Sequence, residues 1–181
     1  MNSPGRTRRL LLFGLGGLGL SRLWPQSAAP TLSQPGYLLA DGEGEHLVHF
    51  RDHGNIFIKA SIATGSSKLA FGTQQVMAGS GIPVHRHFEM DEAFYVLDGG
   101  GTFLLNDQPR PFEKGATIFI PRISWHGFLN PDRELLLLWI VAPTGLDGFF
   151  RETCNPPGVP PKQFTRAQIN EIARKYATEF R

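Results

Sequence analysis

The segment GSGIPVHRHFEMDE, residues 79–92, contains the residues on which the interpretation of both fold and chemistry depends. His85 and His87 are two positions apart, so that on an extended strand both imidazoles project from the same face. Glu92 follows after a short connection and can return a carboxylate to the same place. The segment therefore predicts a strand with metal-binding side chains, followed by a turn and a carboxylate.

A later segment supplies a further imidazole, that of His126. Three neutral imidazoles and one carboxylate form a mixed nitrogen and oxygen ligand set, which suits Mn, Fe, Co, Ni, Cu or Zn and does not match an all-oxygen Ca or Mg site. Four protein ligands of a six-coordinate ion leave two positions for a bidentate substrate or O₂. We therefore predict one divalent transition metal, of open identity, at His85, His87, Glu92 and His126.

The sequence around these residues predicts an all-β fold. Short runs of β-branched and aromatic residues, separated by Gly, Pro, Asn and Asp, fill residues 45–143, which is typical of a sandwich or barrel. The run LLLLWIV, residues 135–141, precedes a proline and predicts a strand buried on both faces. The expected strands are residues 46–50, 55–62, 69–77, 93–97, 101–105, 116–120, 127–129 and 135–142.

The first histidine segment resembles the first sequence motif of the cupin superfamily. Gly79, His85, His87, Glu92 and Gly99 stand at the spacing of that motif. The resemblance implies a cupin jelly-roll β-barrel with a metal inside, ligated by three histidines and one glutamate.

The second motif of the cupins is matched with one exception. Gly115, Pro121, His126 and Asn130 stand at its defined positions, whereas Ile123 occupies a position where cupins have glycine. The ligand is present, but the turn before it is expected to have a different shape.

The cupin fold hosts many activities, so the fold alone does not name the reaction. The three-histidine, one-glutamate set resembles that of the quercetin 2,3-dioxygenases, which implies a metal-dependent dioxygenase that uses O₂ on a flavonol-like or other phenolic or enolic substrate. By that resemblance Glu92 is both a metal ligand and the catalytic base that removes the substrate hydroxyl proton. Candidates for an apolar substrate pocket are Phe94, Phe103, Phe119, Phe128 and Trp139.

Two other functions remain open. A non-oxidative metal cupin, such as a decarboxylase, isomerase or lyase of a small acid, would need a basic side chain inside the barrel. An exported ligand-binding cupin without turnover is the third alternative. The basic residues considered for the acid are Lys59, Lys68, Arg110 and Arg122.

The remaining histidines, Glu89 and Cys154 are not assigned to catalysis or metal binding. His46, His49 and His53 are interpreted as residues of an edge strand and its turn rather than as a second metal site. Glu89 is interpreted as a solvated loop acid. Cys154 is the only cysteine, which excludes a disulfide framework and a multi-cysteine metal site.

The amino-terminal segment resembles a signal peptide. Residues 1–29 combine a basic start, a glycine-rich apolar run and small residues near the end. The apolar run is shorter than the roughly 20 residues of a membrane span. Residues 7–12, TRRLLL, resemble a twin-arginine export signal. We expect a signal peptide at 1–29, a linker at 30–44, a periplasmic location and no stable membrane insertion.

The rest of the chain is divided by a proline-rich stretch. We expect the cupin barrel at 45–154, a linker at 155–164 and an amphipathic helix at 165–181, where Thr165 and Gln168 form a capping box. The formal net charge is +2, and no cluster of Lys and Arg in the body indicates nucleic-acid binding. Small cupins are commonly homodimers, so the resemblance implies a homodimer that acts on a small molecule.

Overall fold

Two antiparallel β-sheets form the core of the computed structural model, which describes residues 35–130 and 132–181. Two α-helices follow the last long strand, and a 3₁₀ turn covers Ile62–Thr64. The elements are β1 (Glu45–Val48), β2 (Asn55–Ala60), β3 (Ala70–Val76), β4 (Ile82–His87), β5 (Asp91–Asp98), β6 (Gly100–Leu105), β7 (Gln108–Glu113), β8 (Thr117–Ile120), β9 (His126–Leu129), β10 (Leu135–Ala142), α1 (Leu146–Thr153), α2 (Arg166–Arg174) and β11 (Thr178–Phe180).

The strand order is that of a jelly roll. One sheet has six strands in the order β1-β2-β3-β10-β5-β8, and the other has five in the order β11-β4-β9-β6-β7. Sequence neighbours such as β3 and β4, or β4 and β5, lie in opposite sheets, so the chain repeatedly crosses from one sheet to the other. The predicted all-β jelly-roll fold with a carboxy-terminal helix is confirmed.

Alternating burial along the strands sets the core between the sheets. In β3 every second residue from Ala70 to Val76 is buried, as expected for a strand with one face toward the core. Trp139 of β10 is opposite Gly72 of β3, and a Cβ atom at residue 72 would lie 2.7 Å from the indole ring. Phe128 of β9 contacts Phe94 of β5, with ring centroids 5.0 Å apart, and so joins the two sheets.

The prediction that residues 135–141 are buried on both faces is wrong. Residues 135–142 form β10, but only alternate residues are buried, and Leu136 and Ile140 are 37% and 36% exposed. β10 lies between β3 and β5 in the six-stranded sheet, so its second face is the outer face of that sheet. The apolar run therefore contributes to the core and to an apolar outer surface.

The carboxy-terminal helix is shorter than expected. It begins with the predicted capping box, in which Gln168 N donates to Thr165 Oγ1 and Thr165 N donates to Gln168 Oε1. It ends at Arg174 rather than continuing to residue 181. The chain then turns through Ala177, with a φ of +49°, and forms β11 against β4. The helical spacing of the apolar residues is overridden because β4 offers an unpaired edge.

Residues 1–34 and 131 lie outside the described residues, and with them the predicted signal peptide and part of the linker at 30–44. Within the described part of the chain, no helix is both long and apolar enough to cross a bilayer.

Candidate metal centre

Four buried side chains from three strands converge inside the barrel. His85 and His87 lie on β4, Glu92 on β5 and His126 on β9. Their exposed fractions are between 0% and 6%, and one ligand atom from each lies within 4.8 Å of the others. The structure therefore brings together the four residues that the sequence singles out as metal ligands.

Strand geometry explains the convergence. His85 and His87 share the inner face of β4 because they are two residues apart. β4 pairs antiparallel with β9 in a register that sets His85 opposite His126. Glu92 is contributed by the other sheet, so the cluster spans the interior between the two sheets.

Hydrogen bonds outside the cluster orient two of the imidazoles. His85 Nδ1 lies 2.8 Å from the carbonyl oxygen of Pro83, and His126 Nδ1 lies 3.0 Å from that of Ser124. A carbonyl oxygen only accepts hydrogen bonds, so each Nδ1 carries the proton. In the neutral ring the Nε2 lone pair is then directed into the cluster.

The third imidazole has the same tautomer for a different reason. His87 Nδ1 lies 2.8 Å from Thr178 Oγ1 of β11, and that hydroxyl donates its hydrogen to the carbonyl oxygen of Tyr176 at 3.0 Å. The hydroxyl must therefore accept from His87 Nδ1–H. The last strand of the chain thus holds a metal-site histidine in its ligand form.

The electrostatics of the cluster suit a cation. Burial lowers the pKa of His85 well below its ordinary value, and His126 and His87 lower it further. Burial alone would raise the pKa of Glu92, but His87 and His126 outweigh it and hold that pKa below its ordinary value. Glu92 Oε2 lies 3.2 Å from His87 Nε2 and 2.9 Å from His126 Nε2. A carboxylate facing three imidazole lone pairs is stabilised by a positive charge between them.

The sequence predicts a different shape for the turn before His126, but the turn has a backbone conformation typical of glycine at Ile123. Ile123 has a φ of +73°, which is a strained conformation for a β-branched residue and is readily adopted by glycine. Its side chain is 55% exposed, and its backbone N–H donates to the carbonyl oxygen of His87 at 2.6 Å. The turn is therefore tied directly to β4, and His126 still reaches the cluster.

Two adjoining cavities lead to the cluster. The inner cavity, of about 40 Å³, includes His85, Glu92 and Phe94 in its wall. The outer cavity, of about 300 Å³, opens beside Phe164 of the linker and Ile169 of α2. The two cavities share His49, Arg51, Phe149 and Phe180. The inner cavity has room for up to about three waters, so only one end of a larger molecule fits inside it.

The predicted pocket phenylalanines have different locations. Phe94 lines the inner cavity, whereas Phe103, Phe128 and Trp139 are buried in the hydrophobic core and line neither cavity. Phe119 is wrong as a pocket residue, because it is 62% exposed on the outer face of β8.

Most of the aromatic wall comes from segments that the sequence analysis did not assign to the pocket. Phe149 and Phe150 of α1 line the inner cavity, and Phe180 of β11 lines it and stacks on His85 with ring centroids 5.2 Å apart. No helix was predicted at residues 146–153, and residue 180 was expected in a helix. Their positions depend on tertiary contacts rather than on a local pattern.

Three polar residues of the wall were also missed. His49, Arg51 and Gln74 line the inner cavity. For Gln74 a signal existed, because it alternates with Gly72 and Val76 on the buried face of β3. Arg51 follows β1 in a turn, where spacing does not indicate its direction.

The acidic and basic residues that the sequence offers as further candidates for the site lie outside the two cavities. Glu89 is exposed and lines a separate surface pocket. Lys59 donates to the carbonyl oxygens of Ala40 and Glu43, outside the barrel. Lys68, Arg110 and Arg122 are exposed, and none of these basic residues lines either cavity.

Comparison with known proteins supports a likeness to cupins over part of the chain. Residues 72–141 match the family model described as a cupin domain. The uncharacterized protein MJ1618 of Methanocaldococcus jannaschii is 32% identical over 65 residues, which cover 33% of this chain and 52% of that protein. The chain thus spans about half the length of the curated relative that it matches.

Solved structures show the same fold. KdgF from Halomonas sp. is 19% identical with a TM-score of 0.53, over 62% of this chain and 98% of that chain. An RmlC-like cupin from Shewanella frigidimarina is 17% identical with a TM-score of 0.53, over 63% and 96% of the two chains. At these identities the likeness concerns the fold alone. The chain therefore shares the jelly-roll fold of these solved structures, and its residues 72–141 match a cupin domain.

Proposed function

We propose that this protein is a metal-dependent enzyme, a dioxygenase that uses O₂ on a phenolic or enolic substrate bound at the His85, His87, Glu92 and His126 centre. The observation that carries the proposal is the position of Glu92, a buried carboxylate that contacts two metal-site imidazoles and also lines the inner cavity. It is thus able to bind the ion and to reach a molecule in the cavity.

A first-row transition ion bound there would supply a Lewis acid that favours the ionised form of a substrate hydroxyl. Glu92, which contacts His87 and His126 and also lines the inner cavity, would accept the hydroxyl proton. The three histidines, each held by an outer hydrogen bond, keep their orientation during this proton transfer.

The wall of the cavities supports an aromatic substrate. Phe94, Phe149, Phe150 and Phe180 surround the inner cavity. Such a wall excludes water and packs against a planar ring, while the ionised oxygen enters the small inner space. Both atoms of O₂ would enter the organic product, so the reaction needs no external reductant.

A non-oxidative reaction on a small acid is the second candidate, and Arg51 favours it. This side chain lines both cavities, as a basic group for an anionic substrate must. The same centre would then polarise a carbonyl or stabilise an enolate while Glu92 moves the proton. Ligand binding without turnover remains the third candidate.

The test is O₂ consumption by protein loaded separately with Mn, Fe, Co, Ni, Cu or Zn, with quercetin and simple enols and phenols as substrates. We expect uptake with at least one redox-active metal, and both atoms of ¹⁸O₂ in the product. Glu92→Gln is expected to abolish uptake. Glu89→Gln, a matched change of an exposed acid nearby, is expected to leave it unchanged.

The alternatives are distinguished by a parallel oxygen-free assay. Conversion of small keto or hydroxy acids without O₂ would replace the dioxygenase proposal by the second candidate. Stoichiometric metal with tight ligand binding and no product in either assay would leave the binding function.

Export and dimerisation belong to the same proposal. The basic and apolar segment at 1–29 supports a periplasmic location, which cell fractionation tests, with Arg8→Lys/Arg9→Lys as the variant expected to remain in the cytoplasm. The apolar outer face with Leu136 and Ile140 supports a homodimer. Light scattering that gives a monomer at micromolar concentration would contradict it.

A further inference from the structure

The wall of the inner cavity contains three polar side chains besides the metal-site residues. They are His49, Arg51 and Gln74. His49 and Gln74 are 3% and 5% exposed, and Arg51 is partly buried. Polar groups inside a largely apolar cavity are the ones that orient a ligand.

The guanidinium of Arg51 is incompletely satisfied. Its Nε donates to Ser80 Oγ at 3.1 Å, but its Nη2 is buried without a hydrogen-bond partner among the described residues. Asp52 Oδ2 lies 3.6 Å from Nη2, beyond hydrogen-bond distance, and accepts a hydrogen bond from Met77 N. Asp52 therefore offsets the charge of Arg51 only in part. Because Nε donates to Ser80 and Nη2 is buried, Nη1 is the nitrogen left for a ligand, on a side chain that is 22% exposed.

The imidazole of His49 offers a second donor. Its Nδ1 accepts a hydrogen bond from Arg51 N at 3.1 Å, and burial lowers the pKa of His49 well below its ordinary value. Asp52 Oδ1 lies 3.4 Å from the same Nδ1 without forming a hydrogen bond to it, so in the neutral ring the proton lies on Nε2. Among the described residues no group accepts a hydrogen bond from that Nε2.

The charge around the two cavities is positive. Arg166 and Arg181 line the outer cavity, and Arg51 lines both. Arg181 is paired with Asp107, which is not part of the wall. Glu92 is the only carboxylate among the residues that line either cavity in the described part of the chain. An approaching anion thus meets arginines before it reaches the metal centre.

We propose that Arg51 and His49 form a carboxylate-binding site, so that the ligand of this cupin is an organic acid. Its carboxylate would accept hydrogen bonds from the Arg51 guanidinium and His49 Nε2–H, and its apolar body would lie against Phe149 and Phe180. This inference rests on the proposed function only for the other end of the ligand, which would reach the metal centre. The site applies to an oxidative and to a non-oxidative reaction alike.

A planar carboxylate fits this site better than a neutral polar group. A carboxylate oxygen accepts a charge-assisted hydrogen bond from the guanidinium, and its negative charge is attracted by the positive charge of Arg51. A neutral amide would offer one oxygen and an NH₂ group that opposes the arginine. Gln74, with both donor and acceptor atoms, lies on the same cavity wall and suits an oxygen on the body of the acid.

The test compares benzoate with benzamide, its neutral analogue, by calorimetry at pH 8, in metal-free and in Zn-loaded protein. We expect benzoate to bind at least about tenfold more tightly than benzamide in both forms. Arg51→Gln is expected to remove this preference, and Arg51→Lys to reduce it. Arg110→Gln, a matched change of an exposed arginine on β7, is expected to preserve it.

The outcomes separate this site from the proposed reaction. A benzoate preference that persists without metal and disappears in Arg51→Gln supports the site even if no turnover is found. Equal binding of benzoate and benzamide by the unmodified protein would overturn it, as would a preference that Arg51→Gln retains. The resonance of Arg51 Nε–Hε, which should shift with benzoate and not with benzamide, provides a readout that needs no variant.

Discussion

The two polar parts of the cavity wall differ in how their hydrogen bonds are used. At the metal centre, each of the three imidazoles has its outer nitrogen bonded to Pro83, Ser124 or Thr178. At the carboxylate-binding site, Arg51 Nη2 is buried without a partner among the described residues, and the hydrogen bond of the His49 ring within that part of the chain is made by Nδ1 rather than Nε2. The metal-site imidazoles are therefore oriented before any ligand binds, whereas the carboxylate-binding site has donors that are free to bind a ligand.

This difference in hydrogen bonding matches the different roles of the metal centre and the carboxylate-binding site. Ligands of an ion must be held in one orientation, and outer hydrogen bonds provide this. Donors that recognise an exchangeable molecule must lose their partner each time the ligand leaves. An unpartnered buried donor costs about 1–3 kcal/mol, and a bound acid would recover that cost.

Removing a metal-site imidazole should have the largest effect of the changes considered, and it should affect metal binding but not carboxylate binding. His126→Ala is expected to weaken Zn binding by at least about a hundredfold, because a ligand contributes more than the outer hydrogen bond that orients it. Competition with a fluorescent chelator measures this. The benzoate preference of the metal-free variant should remain.

His46→Ala is the matched control for that experiment. His46 lies on β1, where its Nε2 contacts Asn55 Oδ1 at 2.8 Å, away from the cluster. It should leave the affinity for Zn unchanged. An affinity that is equally low in both variants would show that general destabilisation, not loss of a ligand, is being measured.

Removing an outer hydrogen bond should have a smaller effect on the same property. Thr178→Val deletes the acceptor of His87 Nδ1–H while keeping the size of the side chain, and is expected to weaken Zn binding about tenfold. Thr178→Ser keeps the hydroxyl and should restore most of the affinity. If the Val and Ser variants bind Zn equally, the hydrogen bond does not orient His87.

The pH dependence of the free energy of unfolding should depend on one buried histidine of the carboxylate-binding site and one of the metal centre. Burial lowers the pKa of both His49 and His85, so below about pH 6.5 the unfolded chain binds protons that the folded chain does not. The free energy of unfolding of the metal-free protein should therefore fall as the pH decreases from 7 to 5, by at most about 1.4 kcal/mol per pH unit for each histidine. Urea unfolding at several pH values measures the slope.

The contribution of His49 to this pH dependence of the unfolding free energy can be measured with a variant. His49→Gln removes the buried histidine of the carboxylate-binding site and should make the dependence shallower without weakening Zn binding. A slope identical to that of the unmodified protein would mean that His49 titrates equally in the folded and unfolded states.

The smallest effect is expected outside both parts. Phe119→Ser changes a side chain that is 62% exposed, so the free energy of unfolding should change by no more than about 0.5 kcal/mol. Affinities for Zn and benzoate should remain the same. A loss of either affinity would mean that this outer face communicates with the cavity.

The ligands could be predicted from the sequence because their geometry is local. The spacing of His85 and His87 sets both on one face of a strand, and the two motifs supply Glu92 and His126 at family spacing. Most strands of the barrel could be predicted in the same way, from alternation and turn residues, but β7 could not, because its sequence QPRPFE contains two prolines and a single buried residue. The pairing of β4 with β9 and the approach of β5 from the other sheet are long-range features, and the need for all four ligands to reach one ion constrains both.

The wall of the cavity could not be predicted because it is assembled from distant segments. Arg51 comes from a turn before β2, Phe149 from a helix after the barrel, and Phe180 from a strand at residues 178–180. In β11, pairing with β4 overrides a helical pattern. Phe119 is a pocket candidate by residue type alone. In β8 alternate residues face the core, and Phe119 is one of those that face outward.

The pairing of β11 with β4 also has a consequence for biosynthesis. His87 and Thr178 are 91 residues apart, so β4 leaves the ribosome long before its neighbour exists. During that interval the strand with two metal ligands is an open edge, able to pair with another nascent chain. Arrival of β11 then closes this edge and supplies the Thr178 hydroxyl that orients His87.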